Sequence, residues 1–497
     1  MWKDPLRAKR LALTARQKSA EGIVGGASTE GPNDGRRRTM TERNGNASAN
    51  RHPPAAAKPL DEPVAGSSCQ PESIPSDTLL GRVLERTNLQ RALKQVHQNH
   101  GAPGIDGMTV EELPQHLKEH WPAIRQQLET GRYRPQPVRR VDIPKGNGKT
   151  RPLGIPTVLD RFIQQAVAQV ISAQWEPHFH PHSYGFRPCR SAPQAMRHVQ
   201  RTIRDGYGWV VDMDLESFFD RVNHDRLMAR LKGRTTDAIV LRLINRFLKA
   251  GVIVEGAQHA TTMGVPQGGP LSPVLANVVL DELDWELTRR GHRFARYADD
   301  STILVKSERA GKRVMASVTR FVSDSLRLTV NPLKSAVDRP WNRTFLGFTV
   351  SRTGARLKVA AKAIAKLKDR VRELTRRTRG KHLGVVVAEL RKILLGWKAY
   401  FGVAEVLSPL RDIDKWIRRK LRCYIWKQWG RAGYRNLRKR GVSVREAWHT
   451  SQSAHGPWRL SQTPAVALAL PVRYFTELGL PRLGVRQEFN PLNRRGT

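Results

Sequence analysis

Three acidic side chains have the type and spacing for metal-assisted chemistry. Asp299 and Asp300 are adjacent in Tyr297-Ala298-Asp299-Asp300, and Asp214 closes the apolar run Trp209-Val210-Val211-Asp212-Met213 just ahead of Phe218-Phe219. An Asp-Asp pair taken alone is ordinary turn chemistry, because short acidic side chains hydrogen-bond local backbone. An Asp at the end of a buried strand, joined by a pair on a neighbouring hairpin, has a second reading. Carboxylates on rigid supports suit hard divalent cations, which take oxygen ligands and complete their shells with water and phosphate. Two such ions ~3.5–4 Å apart can hold both the attacking and the leaving oxygen of an in-line phosphoryl displacement, the step that joins a 3′ hydroxyl to an α-phosphate.

The elements that must carry these residues are legible from periodicity. Residues 209–214 read as a buried strand, and 294–297 with 302–305 read as two strands joined by a tight turn holding Asp299 and Asp300. A further strand is expected at 344–350 and helices at 160–175 and from 223 onward. The chain reads as extended around 134–144, with Lys145-Gly146-Asn147-Gly148-Lys149 as a hairpin tip. Helical spacing begins with Leu80, Val83 and Leu84 and resumes at Leu89, Leu93 and Val96. After about residue 355 strand signals fade and basic amphipathic helices take over. Ile364, Leu367, Val371 and Leu374 form one apolar stripe, with Lys362, Lys366, Lys368, Arg370, Arg372, Arg376 and Arg377 on the other faces. Another helix is expected over 413–429, its Trp416 and Tyr424 interleaved with Arg418, Arg419, Lys420 and Arg422. That mixture suits a structured RNA, through phosphate contacts and stacking.

Composition agrees with a polyanionic partner. The 497-residue chain has 86 Lys and Arg against 44 Asp and Glu, a net charge of +42. Each cation that meets a phosphate releases condensed counterions, the main drive for non-specific nucleic-acid binding. No apolar run reaches the ~18 residues of a spanning helix, so a membrane partner is not expected. The three cysteines, Cys69, Cys189 and Cys423, are too far apart for a paired zinc framework and argue against a disulfide scaffold. A reduced, intracellular chain is expected. Residues 1–75 are rich in Arg, Gly, Ser, Asn, Pro and Ala and read as a disordered basic extension, inside which Met40 offers a second initiation point. His178, His180 and His182 alternate, but no fourth ligand is evident, and packing is the expected role.

From about residue 78 to 350 the chain resembles the reverse transcriptases encoded by bacterial group II introns. The resemblance is carried by ordered blocks: residues 99–107 (Asn-His-Gly-Ala-Pro-Gly-Ile-Asp-Gly), Ile143-Pro144-Lys145 with Arg151-Pro152-Leu153-Gly154-Ile155-Pro156, and Ser183-Tyr184-Gly185-Phe186-Arg187-Pro188. Next come residues 212–220 (Asp-Met-Asp-Leu-Glu-Ser-Phe-Phe-Asp) and 264–273 (Gly-Val-Pro-Gln-Gly-Gly-Pro-Leu-Ser-Pro), the latter highly specific to this group. Tyr297-Ala298-Asp299-Asp300, Asn331-Pro332-Leu333-Lys334-Ser335 and Phe345-Leu346-Gly347-Phe348 complete the series. The stretch containing Gly396-Trp397-Lys398-Ala399-Tyr400-Phe401 is similar to the thumb, or maturase, domain of the same proteins.

The resemblance implies an α+β right-hand polymerase, with fingers and an antiparallel palm sheet over 76–355, a helical thumb/maturase domain over 356–435, and a tail over 436–497 that contacts DNA. It implies that Asp214, Asp299 and Asp300 are the catalytic carboxylates and hold two Mg²⁺ ions, with Mn²⁺ as a substitute. Asp212 competes for the first role, but the family's ligand lies five residues before the second aromatic, here Phe219, which would exclude a 2′ hydroxyl. Lys145 and Arg151 resemble residues that clamp the triphosphate, Gln267 lies near the nascent base pair, Lys334 meets the leaving pyrophosphate, and Leu346-Gly347 grips the primer end. The implied function is RNA-directed DNA synthesis with maturase activity in retrohoming. Its partners would be a group II intron RNA, an RNA template with DNA primer, dNTPs and a DNA target, in a bacterial cytoplasm near the nucleoid. Two alternatives keep parts of this: an RNA-binding splicing factor with little polymerase role, or a related reverse transcriptase serving phage defence. Paired cysteines of an HNH nuclease are not found after Cys423, so no such nuclease is expected. Cys189 stands where the family often has Gly, and Ser301 where an apolar residue is commoner.

Overall fold

The computed structural model describes residues 78–144 and 150–485. Residues 1–77, with the extension expected there, and 145–149, with Lys145 and the expected hairpin tip, lie outside the described residues. In chain order the first part contains α1 (Leu79–Leu84), α2 (Arg86–Asn99), α3 (Leu113–Glu129), β1 (Val138–Pro144), β2 (Thr150–Ile155), α4 (Val158–Trp175), α5 (Ala192–Arg204) and β3 (Trp209–Met213). Then follow α6 (Phe218–Arg221), α7 (His224–Lys232), α8 (Ala238–Leu248), β4 (Val252–Val254), β5 (Ala257–His259), α9 (Ser272–Arg289), β6 (Arg293–Tyr297), β7 (Asp300–Val305), α10 (Glu308–Asp324) and β8 (Ala336–Asp338).

Two four-stranded sheets organise this part, in the orders β2-β1-β4-β5 and β6-β7-β3-β8. The second is antiparallel throughout, with β3 between β7 and β8. Successive side chains of a strand point to opposite faces, and the sheet uses both. On one face Val211, Met213, Ile303 and Val305 join a large core with Val278 of α9 and Val314, Val318 and Val322 of α10. The approach is close: a Cβ on Gly311 would come within 2.5 Å of Val337 Cγ1. On the other face Ala295 and Leu304 pack with Ala195 and Val199 of α5. Position 210 pairs with 304, and 212 with 302, so Asp212 and Thr302 come next on that face, at the edge of the apolar patch.

The rest of the chain is a ribbon followed by helices: β9 (Phe348–Val350), β10 (Leu357–Val359), α11 (Ala361–Leu374), α12 (Leu383–Phe401), α13 (Ser408–Trp429), α14 (Gly433–Lys439), α15 (Val444–Ser451), α16 (Pro457–Leu460), α17 (Pro464–Ala469) and α18 (Val472–Glu477). One apolar core runs through all of it, from Phe348 and Leu357 through Leu390, Ile417 and Leu437 to Val466, Phe475 and Leu483. The ribbon therefore straddles the boundary expected near 355, and residues beyond 435 share the core of the helices before them. The end of the described chain is tied down by a buried carboxylate, since Asp414 on α13 accepts from the backbone N–H groups of Leu483 and Gly484 at 2.9 and 2.8 Å. Among the described residues no helix is long and apolar enough to cross a membrane.

The strand expected over 344–350 is shorter than that. Only Phe348–Val350 is strand, because the chain reverses at Leu346 and Gly347, with φ of 53° and 78°. Phe345 and Phe348 exchange both backbone hydrogen bonds, at 3.0 and 2.9 Å, across these two residues. Two central residues with positive φ make a tight turn whose twist matches the strands it joins. Apolar alternation alone did not reveal it.

Candidate active site

The Asp-Asp hairpin is held from behind by a buried polar network. Tyr297 pairs with Asp300, so Ala298 and Asp299 are the turn, and Ala298 has φ of 58°. Arg296, one residue before the Tyr297 of the motif, is turned inward. Its guanidinium donates to the Ala298 carbonyl (2.9 Å), to Asn277 Oδ1 (3.0 Å), to Ser183 Oγ (2.8 Å) and to both oxygens of Asp284 (2.6–3.0 Å). Both members of the ion pair are buried, at 1% and 0% exposure. The Asn277 amide donates in turn to Gly185 O, and Gly185 lies so close to the turn that a Cβ would meet Ala298 N at 2.3 Å. Arg296, Asp284 and Asn277 are functional supports that the sequence reading did not single out. The only signal was a charged residue inside an otherwise apolar strand.

Asp214 is the first residue beyond β3. The antiparallel pairing runs from Trp209↔Val305 to Met213↔Ser301, so one more step sets Asp214 across from Asp300. Its backbone N–H donates to Ser335 Oγ at 3.0 Å and its carbonyl accepts from Asn331 N–H at 2.8 Å. The Lys334 ammonium stands 2.7 Å from Asp214 Oδ2. Asp212 is engaged differently. Arg343 donates to its Oδ2 through Nη2 (2.6 Å) and Nε (3.0 Å), and also to Lys334 O (2.8 Å). Burial raises the Asp212 carboxyl above the usual carboxylate range, with Arg343 opposing the shift.

The two phenylalanines separate. Phe218 is 2% exposed, in the core, whereas Phe219 is partly buried and meets it edge-on, with ring centroids 5.1 Å apart. The Phe219 carbonyl accepts from Val265 N–H at 2.6 Å, which docks the Pro-Gln-Gly-Gly loop against α6. Gln267 joins three parts of the site. Its side-chain oxygen accepts from Arg151 Nε, its amide nitrogen donates to Asp220 Oδ1 at 3.2 Å, and its carbonyl accepts from Gly154 N–H at 2.9 Å. Gly268, at φ of 137°, would bring a Cβ within 2.4 Å of Gly154 O, so the close approach of loop to strand requires glycine. Asp220 is a further residue the sequence reading left without a role.

Leu346 packs, like Tyr297, against the small cluster under α5. The two substituted family positions are also explained. Cys189 has φ of 57°, a conformation that favours Gly, and is exposed. Ser301 is 4% exposed opposite Met213, so the small hydroxyl is accommodated inside the sheet. The alternating histidines are packed. His180 Nδ1 accepts from His182 N–H at 3.1 Å, its Nε2 faces Thr288 Oγ1 at 2.8 Å, and His182 stacks on His198 at 3.9 Å.

Among the described residues no three His, Cys, Asp or Glu side chains are already gathered as a metal-holding group. The fold supplies Asp214 and Asp300 in adjacent register, with Asp299 at the turn beside them. This all-oxygen set fits a hard divalent ion, since Mg²⁺ keeps several waters and binds through one or two carboxylates plus substrate phosphates.

Residues 143–350 match the reverse transcriptase (RNA-dependent DNA polymerase) family, and residues 364–441 match the group II intron maturase-specific domain. Protein YkfC of Escherichia coli (strain K12) is 36% identical over 273 residues, covering 47% of this chain and 72% of that protein. The group II intron-encoded protein LtrA of Lactococcus lactis is 40% identical over 209 residues, covering 42% of this chain and 35% of LtrA. The retron Mx65 reverse transcriptase of Myxococcus xanthus is 31% identical over 209 residues, covering 40% of this chain and 47% of it.

Proposed function

The chain belongs to the group II intron-encoded reverse transcriptases, and we propose that it binds one group II intron RNA, assists its splicing and copies it into DNA at a target site during retrohoming. Its reverse transcriptase and maturase domains make it an RNA-directed DNA polymerase with a maturase role. The observation that carries the site assignment is the opposition of Asp214 and Asp300 at one end of the palm sheet. Reverse transcriptases use divalent metal ions. Here Asp214, Asp299 and Asp300 would hold two Mg²⁺, or Mn²⁺ in their place, which would neutralise the charge developing between the primer 3′ oxygen and the α-phosphate.

The protein's own groups do the rest. Asp214 is favoured over Asp212 because the Asp212 carboxylate takes two donors from the half-buried Arg343, whereas Asp214 meets the single, exposed ammonium of Lys334. Lys334 would supply charge to the leaving pyrophosphate, a role supported by its ammonium standing 2.7 Å from Asp214. Arg151 and Lys145 would clamp the triphosphate, Arg through a planar fork of donors and Lys as a mobile point charge. Gln267, bonded to Arg151, would sense the arriving nucleotide beside the nascent pair. The partly buried Phe219 would lie under the sugar and reject a 2′ hydroxyl. The basic helices α11 and α13 would hold the template–primer duplex and the intron.

Primer extension on an RNA template with Mg²⁺ tests the catalytic half. Asp299→Ala should lose on the order of 10³-fold in rate, the equivalent of several kcal/mol of transition-state stabilisation. Undiminished synthesis by that variant would sink the assignment. The same variant should still bind intron RNA on filters and support splicing, which separates the maturase role from the polymerase.

A further inference from the structure

Helix α12 ends against the turn that is expected to grip the primer. Tyr400 Oη, in its last turn, donates to the Leu346 carbonyl at 3.1 Å. The Tyr400 ring stacks on Phe348 with centroids 5.9 Å apart. The neighbouring Phe401 ring lies beneath Gly347, where a Cβ would meet its Cζ at 3.2 Å. Ala360 N–H closes the other side by donating to Gly347 O at 2.9 Å. Just beyond the helix, Glu405 accepts from Leu357 N–H at 2.9 Å and from the Gln200 amide, so the helix end is fastened to the ribbon and to α5.

Leu346 needs such support. A non-glycine residue at φ of 53° is strained by contact between its Cβ and the backbone. Such conformations persist where surrounding structure over-determines them. The Leu346 carbonyl belongs to a residue that lacks the conformational freedom of its glycine neighbour, so a partly buried donor on that oxygen selects the orientation of the turn. The phenol is also near the catalytic end of the sheet. Burial raises its pKa above the ordinary phenol range, and the charges of Tyr297 and Asp300 add to the shift.

We propose that Tyr400 is a positioning residue for the primer terminus: through Leu346 O it fixes the grip turn relative to the Asp299-Asp300 hairpin, so the maturase-type helix α12 is a working part of the polymerase site. This rests on the reading of Leu346-Gly347 as the primer grip. Mispositioned primer ends, not weakened nucleotide contacts, are the consequence of losing the hydroxyl.

The test is Tyr400→Phe, which removes only the hydroxyl and keeps the ring packing. Wild-type extension of a DNA primer on an RNA template checks the polymerase reading by itself. In the variant, the KM for a recessed primer–template should rise about three- to tenfold, as for loss of one net hydrogen bond, with the KM for dNTP unchanged. Fluorescence anisotropy should report the same loss for the recessed end and none for blunt duplex of equal length. Extension from a mismatched 3′ end should improve relative to the matched end, because the terminus is held less strictly. Wild-type primer KM and mismatch discrimination in Tyr400→Phe would overturn the proposal. So would a parallel loss in blunt-duplex affinity, dNTP KM and melting temperature, the signature of a packing role alone.

Discussion

The network behind the hairpin makes the sharpest prediction. Arg296 and Asp284 pair at 2.6 Å with 1% and 0% exposure, and the guanidinium also feeds Asn277, Ser183 and the Ala298 carbonyl. Asp284→Ala removes one charge and leaves the other buried without its partner. Breaking a buried pair in this way costs about 3–5 kcal/mol, mostly the desolvation of the orphaned ion. For a folding unit of this size that is roughly 6–20 °C in the first melting transition. The Ala298 carbonyl would lose its fixed donor, and misplacement of the turn by about 1 Å could cost about 10²-fold in extension rate. The double variant Asp284→Leu, Arg296→Met separates the two effects. Apolar side chains of similar volume often replace a buried pair without net loss, so most of the melting temperature should return. Activity should stay low, because no donor reaches Ala298 O. Differential scanning fluorimetry and single-nucleotide extension on the same preparations read both quantities. A loss below about 1 kcal/mol in Asp284→Ala, or a double variant no more stable than the single one, would refute the reasoning.

Two further predictions follow from side chains at and beside the site. Phe219→Ala should incorporate rNTPs more readily relative to dNTPs, because Phe219 is only partly buried whereas Phe218 is taken up by the core; unchanged discrimination in competition assays would remove it from the gate. The packed histidines predict acid sensitivity. Burial pushes His182 down to about 4, helped by His198, His180, Arg293 and Arg190, and His180 and His198 are lowered in the same direction. A base whose folded pKa lies below its unfolded value of 6.5 binds fewer protons when folded. Its contribution is therefore complete above about 6.5 and is lost as pH falls toward 4. Asp160 and Asp281, both raised to about 6 by burial, act with the opposite sign, so the wild-type slope is a sum. His182→Gln should flatten the fall in melting temperature between pH 7 and 4.5; superposable pH profiles would exclude His182 as a source.

Much of the molecule was legible in the sequence, because local periodicity and turn chemistry act over a few residues. The buried strand expected over 209–214, found one residue shorter, and the hairpin around Asp299 lie where the apolar runs and turn residues put them. The apolar stripe of α11 does too, with Leu367, Val371 and Leu374 buried. The reversal at Leu346-Gly347 was not legible, because a leucine at positive φ violates the local preference and its turn is held by tertiary contacts that include Tyr400 and Phe401, more than fifty positions away. Nor could composition show that the chain beyond 435 shares a core with α12 and α13, since short helices declare their partners only when their apolar faces meet.

The carboxylates themselves mark the division. Sequence alone placed Asp214 at a strand end and Asp299 in a turn, and the ordered motifs around them determined the family, whereas Asp300, expected in the turn, is the first residue of β7. How Asp212 and Asp214 are engaged, one by Arg343 and the other by Lys334, was decided by tertiary structure. Arg343 comes from 131 positions away to occupy Asp212, and strand register sets Asp214 across from Asp300. Register and ion pairing over such separations depend on how two faces of a sheet are buried at once, a property of the assembled core and not of any window of the chain.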